Sequence, residues 1–277
     1  MTILTGVAAS IAAIVVALAW AERSAHARFA ADAARVRTAA GVHDGAVVTE
    51  QDLRDLPEPM ARYLRFSGSL GRKRISDLHC RHSGRFRPGT AMPWLPIRGE
   101  YFMTTKRPSF MWYGRIGVGP GISITAFDSY ASEHARMLVR ALSLFTIVDD
   151  RSRNVVQSAF GRCVAELTMA PTFFLDRSRV RCVQTGPNQA RCTVTDGTNS
   201  ADAEFFINPD GSLDRVVVMR CFDRGGGRTT LERFTARCSE QKDFGGRRLA
   251  SKVDGVWNLP EGDFHYVSFD FETAEFE

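Results

Sequence analysis

Six cysteines, six histidines and scattered carboxylates are the groups of this chain that can do chemistry, and their spacing joins few of them. Cys80, Cys163, Cys182, Cys192, Cys221 and Cys238 include no C-x-x-C pair, so neither a zinc knuckle nor a thioredoxin-type dithiol is expected. His79-Cys80-Arg81-His82 is the densest run of ligand types. On a strand, Cys80 and His82 share a face while His79 points away, which leaves too few local ligands for a metal. No G-x-S-x-G elbow, H-E-x-x-H helix or S-x-x-K pair is present. Gly117-Val118-Gly119-Pro120-Gly121 is interrupted by proline, and Gly225-Gly226-Gly227 lacks the Lys-Ser/Thr of a phosphate loop; both read as turns. Two pairings remain. Arg162 and Glu166 stand at i and i+4, on one face of a helix, beside an apolar stripe that should partly bury them. Cys182 and Cys192 flank Gly186-Pro187-Asn188. If that is a three-residue hairpin loop, Thr185 opposes Gln189 and Cys182 opposes Cys192, close to bridging reach. A cytosolic body would keep them as thiols and an extracytoplasmic one could oxidise them. No catalytic residue, metal or cofactor is assigned.

The elements that must position these groups are mainly strands. Alternation marks Ile75–Arg87, Ile97–Thr105, Ser109–Ile116, Ile122–Ser129 and Arg136–Leu142. A helix follows over Arg151–Leu167, with Val155, Val156, Ala159, Phe160, Cys163, Val164 and Leu167 on a 3.6-residue stripe. Strands resume at Arg179–Gln184, Arg191–Thr195, Ala201–Ile207, Ser212–Cys221, Arg228–Arg237, Arg247–Leu259 and Asp263–Phe276. Asn208-Pro209-Asp210-Gly211 is a strong turn. A dozen strands in series with short turns imply a mostly antiparallel meander.

The N-terminus differs. Ile3 to Trp20 are eighteen residues without a charge, a helix of about 27 Å against a hydrocarbon core of roughly 30 Å. A transmembrane anchor over residues 1–20 is the expectation. A signal peptide cleaved after Ala17-Leu18-Ala19 or Ala25-His26-Ala27 would want a basic start, and Met1 to Leu4 has none. A buried core helix would want a polar face, and only Thr5 and Ser10 offer one. Residues 21–55 then form a juxtamembrane helix and linker, with Gly41 as C-cap and Thr49 as N-cap of a short turn. Residues 56–277 form a single β-rich domain. Arg23, Arg28, Arg35 and Arg37 after the anchor place this body on the cytoplasmic side.

The chain of 277 residues carries a net charge of +5, with 44% apolar and 24% charged residues, an ordinary globular mix that excludes bulk disorder, collagen and a multi-span membrane protein. Of its 36 cations only Lys73, Lys106, Lys242 and Lys252 are lysine. The excess is diffuse and no nucleic-acid-reading motif is present, so nucleic acid is not an expected partner. Charge is segregated: Arg62 to Arg87 sums to +7 and Val253 to Glu277 to −7. The simplest reading brings the first and last strands together; the alternative aims a basic face at anionic lipid.

Several marks occur in order: Leu56-Pro57-x-Pro59-x-x-Arg62-Tyr63-Leu64 with Gly68, Gly84-x-Phe86-Arg87, Trp94-x-Pro96, Pro108-x-Phe110-x-Trp112, Asp128-Ser129-Tyr130, Arg162-x-x-x-Glu166 with Pro171, Asp210-Gly211, Asp223-Arg224, Trp257 and Gly262-x-Phe264-x-Tyr266. From Leu56 onward this resembles an uncharacterised bacterial family of unknown function, departing from it at Cys163 and Val164. The resemblance implies an architecture similar to the half-barrel of lipoprotein-carrier proteins, an antiparallel sheet curled around helices. It implies no catalytic residues. The candidate ligand contacts are Arg62, Tyr63, Arg87, Glu100, Trp112, Asp128, Arg162, Glu166, Trp257 and Tyr266. With 19 Phe, 5 Tyr and 4 Trp, such a curved sheet can wrap a cavity for a hydrophobic or lipid-like ligand. The expected function is a membrane-anchored binding module whose partners are the bilayer and an apolar small molecule or lipid. The alternatives are an enzyme using the buried polar residues, or a scaffold for another membrane protein.

Overall fold

The computed structural model describes residues 2–41 and 45–277, without the side chains of residues 2–8, 11 and 14. The strands are β1 (Asp77–Phe86), β2 (Leu95–Thr104), β3 (Ser109–Gly119), β4 (Ile122–Ala131), β5 (His134–Ala141), β6 (Phe145–Asp150), β7 (Val180–Gly186), β8 (Gln189–Asp196), β9 (Asn199–Ile207), β10 (Leu213–Gly225), β11 (Arg228–Asp243), β12 (Arg248–Leu259) and β13 (Gly262–Phe276). The helices are α1 (Thr2–Ala40), α2 (Glu50–Leu53), α3 (Glu58–Phe66) and α4 (Arg153–Glu166), followed by two 3-10 turns over 167–175.

All thirteen strands form one antiparallel sheet in the order β6-β5-β4-β3-β2-β1-β13-β12-β11-β10-β9-β8-β7. Two meanders, β1–β6 and β7–β13, are therefore joined where the first strand pairs with the last. The basic and acidic stretches of the sequence become neighbours there, as the simplest reading of their charges required. Strand β6 had no expected counterpart. It is an edge strand whose Phe145 and Ile147 are exposed, so it lacks the alternation that betrays a half-buried strand.

Helix α4 lies on the concave face. Ser152 caps it by accepting a hydrogen bond from Val155 N–H. Ala159, Phe160, Cys163 and Val164 of the expected stripe are buried, and the helix touches β4 and β5 on one side and β9 and β10 on the other. Helix α3 and the 3-10 turns fill one end of the curl. The Tyr63 hydroxyl donates to Thr168 O at 2.7 Å, and Ile75 N–H donates to Thr172 Oγ1 at 2.9 Å.

Helix α1 packs on the opposite, convex face. Phe29 and Ala33 bury against Phe102, Met111 and Tyr113, and Arg37 reaches Asp77 at 3.0 Å. Among the described residues no helix is long and apolar enough to cross a membrane, which corrects the expectation of a transmembrane helix. That expectation falls largely on side chains outside the described residues; what the structure has is one helix running unbroken from Thr2 to Ala40, its second half held by aromatic side chains of β2 and β3.

The β7–β8 hairpin pairs Cys182 with Cys192, and the two form a disulfide with their Cα atoms 4.0 Å apart. The loop differs from the expectation. Gly186 opposes Gln189 and the register shifts between Gln184 and Gly186, so the extra residue sits in a bulge and the cysteine register is unchanged.

The seam between β1 and β13 turns on Gly84. Its φ is +152°, and a Cβ there would run into the Ser268 carbonyl oxygen and the Phe269 backbone. Gly84→Ala should therefore destabilise the fold by about 2–4 kcal/mol in a urea titration. A loss below about 0.5 kcal/mol, the range of neutral surface changes, would mean that the two backbones are not held this closely.

Candidate functional site

The curl of the sheet leaves a chamber of about 1180 Å³ between its concave face and α4, beyond the roughly 300–1,000 Å³ of drug-sized sites. The β1–β2, β10–β11 and β12–β13 turns border its mouth, contributing Pro88, Gly226 and Glu261. One wall comes from the first meander, with Ile97, Trp112, Ile116 and Ile124; the other comes from the second, with Phe234, Trp257, Tyr266 and Phe269. Strand alternation explains this composition. Residues 97, 99, 101 and 103 of β2 point inward, and so do residues 110, 112 and 116 of β3.

Three ionisable groups converge in the wall. Arg162 Nη1 donates to Asp128 Oδ2 at 2.7 Å and its Nε donates to Glu166 Oε1 at 2.9 Å. The guanidinium lies 5.0 Å from the ring centres of both Phe110 and Trp112. Burial alone would lower the Arg162 pKa, but the charges of Glu166 and Asp128 outweigh it and raise it above the usual arginine value. One guanidinium thus faces two carboxyl groups. Glu166 Oε2 and the Tyr101 hydroxyl, both buried, face each other without a well-formed hydrogen bond. Burial, then the charge of Glu166, raises the Tyr101 hydroxyl far above its usual value. His82 lies behind Trp112, whose indole N–H donates to His82 Nε2 at 2.8 Å. Burial first, and Arg162 second, lower the imidazole pKa to about 3, so it stays neutral at physiological pH.

Arg87, Trp112, Asp128, Arg162, Glu166, Trp257 and Tyr266 of the candidates all line the chamber. Arg62, Tyr63 and Glu100 do not. Arg62 ties α3 to the β8 hairpin, donating to Asn188 Oδ1 at 2.8 Å, and Tyr63 is the buried strut to Thr168. Glu100 occupies the outward phase of β2, under α1, where it meets His26 at 3.0 Å and His79 at 3.2 Å. Burial works against its charge, but hydrogen bonds from the two histidines, with Arg81 nearby, hold its carboxyl below the usual value. Arg220 and Arg224 line the chamber and were missed. For Arg220 a signal existed: Val216-x-Val218-x-Arg220-x-Phe222 puts an arginine in the inward phase of an apolar strand. Among the described residues no group of three or more His, Cys, Asp or Glu is placed to hold a metal.

Fold and chamber together define an open antiparallel half-barrel closed over an internal apolar space by one helix. The chain belongs to a family of unknown function, DUF6544, whose model matches residues 46–269. Its fold is similar to that of a LolA superfamily protein from Nitrosomonas europaea, at 12% identity and a TM-score of 0.43 over 83% of this chain and 94% of that one. It is also similar to that of a DUF1329 family protein from Desulfovibrio piger, at 11% identity and a TM-score of 0.42 over 83% and 93%. No curated protein matches the chain.

The burial of the Arg162 cluster sets a measurable cost. Arg162→Met leaves Asp128 and Glu166 without their cation, and removing one partner of a buried pair typically costs roughly 3–5 kcal/mol. Urea denaturation should show that loss, and adding Asp128→Asn and Glu166→Gln to the same chain should recover most of it. An Arg162→Met protein as stable as the wild type would place the cluster in solvent.

Proposed function

We propose that this protein holds a hydrophobic, lipid-like ligand in the chamber between the curved sheet and α4. The observation that carries this reading is the chamber itself. It is large, aromatic and branched aliphatic side chains stand on both of its walls, and its mouth is bordered by turns at one end of the sheet. Apolar surface left uncovered to this extent inside a fold is unfavourable unless something occupies it. Trp112 and Trp257 supply flat faces on the two opposing walls. The Arg162 cluster supplies a polar landmark that a ligand can be oriented against.

An enzymatic role draws less support. Arg162, Asp128 and Glu166 do converge, as catalysis by buried polar residues would ask, but the guanidinium holds one oxygen of each carboxyl group.

The body belongs, on this reading, in an oxidising compartment on the extracytoplasmic side. The Cys182–Cys192 bridge supports that placement, because such bridges persist where thiols are not kept reduced. It outweighs the lean given by the arginines after residue 20, since charge bias near a segment end orients it with exceptions.

Native mass spectrometry of the full chain, released gently from its host, tests the function. The expected spectrum contains protein carrying an organic-extractable apolar adduct, and Val155→Trp, which places an indole in the chamber from α4, should lower its occupancy. A ligand-free wild-type protein that also fails to take up an apolar fluorescent probe would end this reading.

A further inference from the structure

We infer that the ligand is an anionic amphiphile and that Arg220 holds its head group inside the chamber; this rests on the reading that the chamber holds an apolar molecule. Arg220 is 7% exposed and lines the chamber. Its Nε donates to Ser158 O of α4 at 3.1 Å, and its guanidinium lies over Phe234 at 4.7 Å and Trp257 at 5.2 Å. Gly161 gives it passage: a Cβ there would stand 3.2 Å from Arg220 Cγ. The side chain is thus fixed on three sides by a carbonyl and two rings. Among the described residues its two terminal nitrogens have no hydrogen-bond partner and it makes no ion pair.

This distinguishes it from Arg162 and Arg224. Arg162 has Asp128 and Glu166, and Arg224 has Glu232 and Glu261. An anion placed against so enclosed a guanidinium is bound strongly, and its terminal nitrogens, which protein atoms do not seal off, are the part that a ligand can reach. Here the planar fork is held open toward the chamber, in the geometry that accepts a carboxylate or phosphate through two parallel bonds.

The surroundings give the bound molecule a direction. Carboxylates line both walls, Asp128 and Asp150 on the first and Asp223 and Glu261 on the second, so an anion is directed by Arg220, which none of them occupies. Arg87, nearer the mouth, also lines the chamber without an ion pair among the described residues. It stacks over Phe264 at 5.3 Å, and its buried Nε has no partner. Trp257 and Tyr266, with ring centres 6.2 Å apart, continue the aromatic surface between the two arginines. A head group entering past Arg87 would reach Arg220 along this wall, with its tail against the apolar side chains of β1 to β4.

Competitive displacement of a fluorescent apolar probe from the full chain tests this, using oleate, an oleoyl lysophosphatidate and oleyl alcohol. The wild type should bind at least one of the two anions about ten-fold more tightly than the alcohol, and which anion wins tells carboxylate from phosphate. Arg220→Met should abolish that preference, with the anions binding no better than the alcohol to the same variant, and Arg220→Lys should keep part of it. Equal binding of all three by the wild type would overturn the inference even if Arg220→Met fails to fold, and so would a preference that survives Arg220→Met. If the alcohol binds and the anions bind no better, the chamber reading stands and the anionic head is wrong. If none of the three binds, both fall.

Discussion

Pairing of the first strand with the last is the contact that the rest of the structure depends on. Without β1 against β13, the chain would be two separate meanders, each with free edges and with one apolar face open to water. The seam sets Leu78 opposite Phe276 and Phe86 opposite Val267, residues almost two hundred positions apart. Closing so long a loop costs conformational entropy that grows with the logarithm of its length, and non-local pairings of this kind form late and slowly. The return is a sheet wide enough to curl. Gly84 permits the close approach of the two backbones.

The seam also explains the chamber. It places the wall carrying Trp112 and the wall carrying Trp257 on either side of one concave surface, and α4, in the connection between the meanders, crosses that surface. The helix does not fill the curl. Its small residues Ala159, Gly161 and Ala165 let it sit close to the strands, while the large aromatic side chains stand around the space beside it. Of the arginines in this apolar environment, Arg162 is compensated by two carboxylates, whereas Arg220 makes no ion pair among the described residues.

Much of this was legible in the sequence because the period-2 alternation of an antiparallel sheet is a strong local signal. Twelve of the strands, the α4 stripe and the Cys182–Cys192 register follow from alternation and turn residues alone. The edge strand β6 did not show, because Phe145 and Ile147 are exposed and give no half-buried pattern. The site was legible where a candidate fell in the inward phase, as for Trp112, Asp128 and Tyr266. Glu100 was misplaced: the phase set by Tyr101 and Met103 turns it outward, beneath α1. The second half of α1 docks on the sheet through Phe29 and Ala33, a tertiary contact that an alanine-rich, arginine-rich helix does not announce.

The central claim is that an apolar chain lies between Trp112 and Trp257. Tryptophan fluorescence of the full protein with a dibrominated oleyl alcohol measures this directly, because bromine quenches only indoles that it approaches. The account predicts strong, saturable quenching in the wild type, and little in a Trp112→Phe/Trp257→Phe protein that retains Trp20 and Trp94. Quenching that persists undiminished in that double variant would put the bound chain elsewhere and contradict the account.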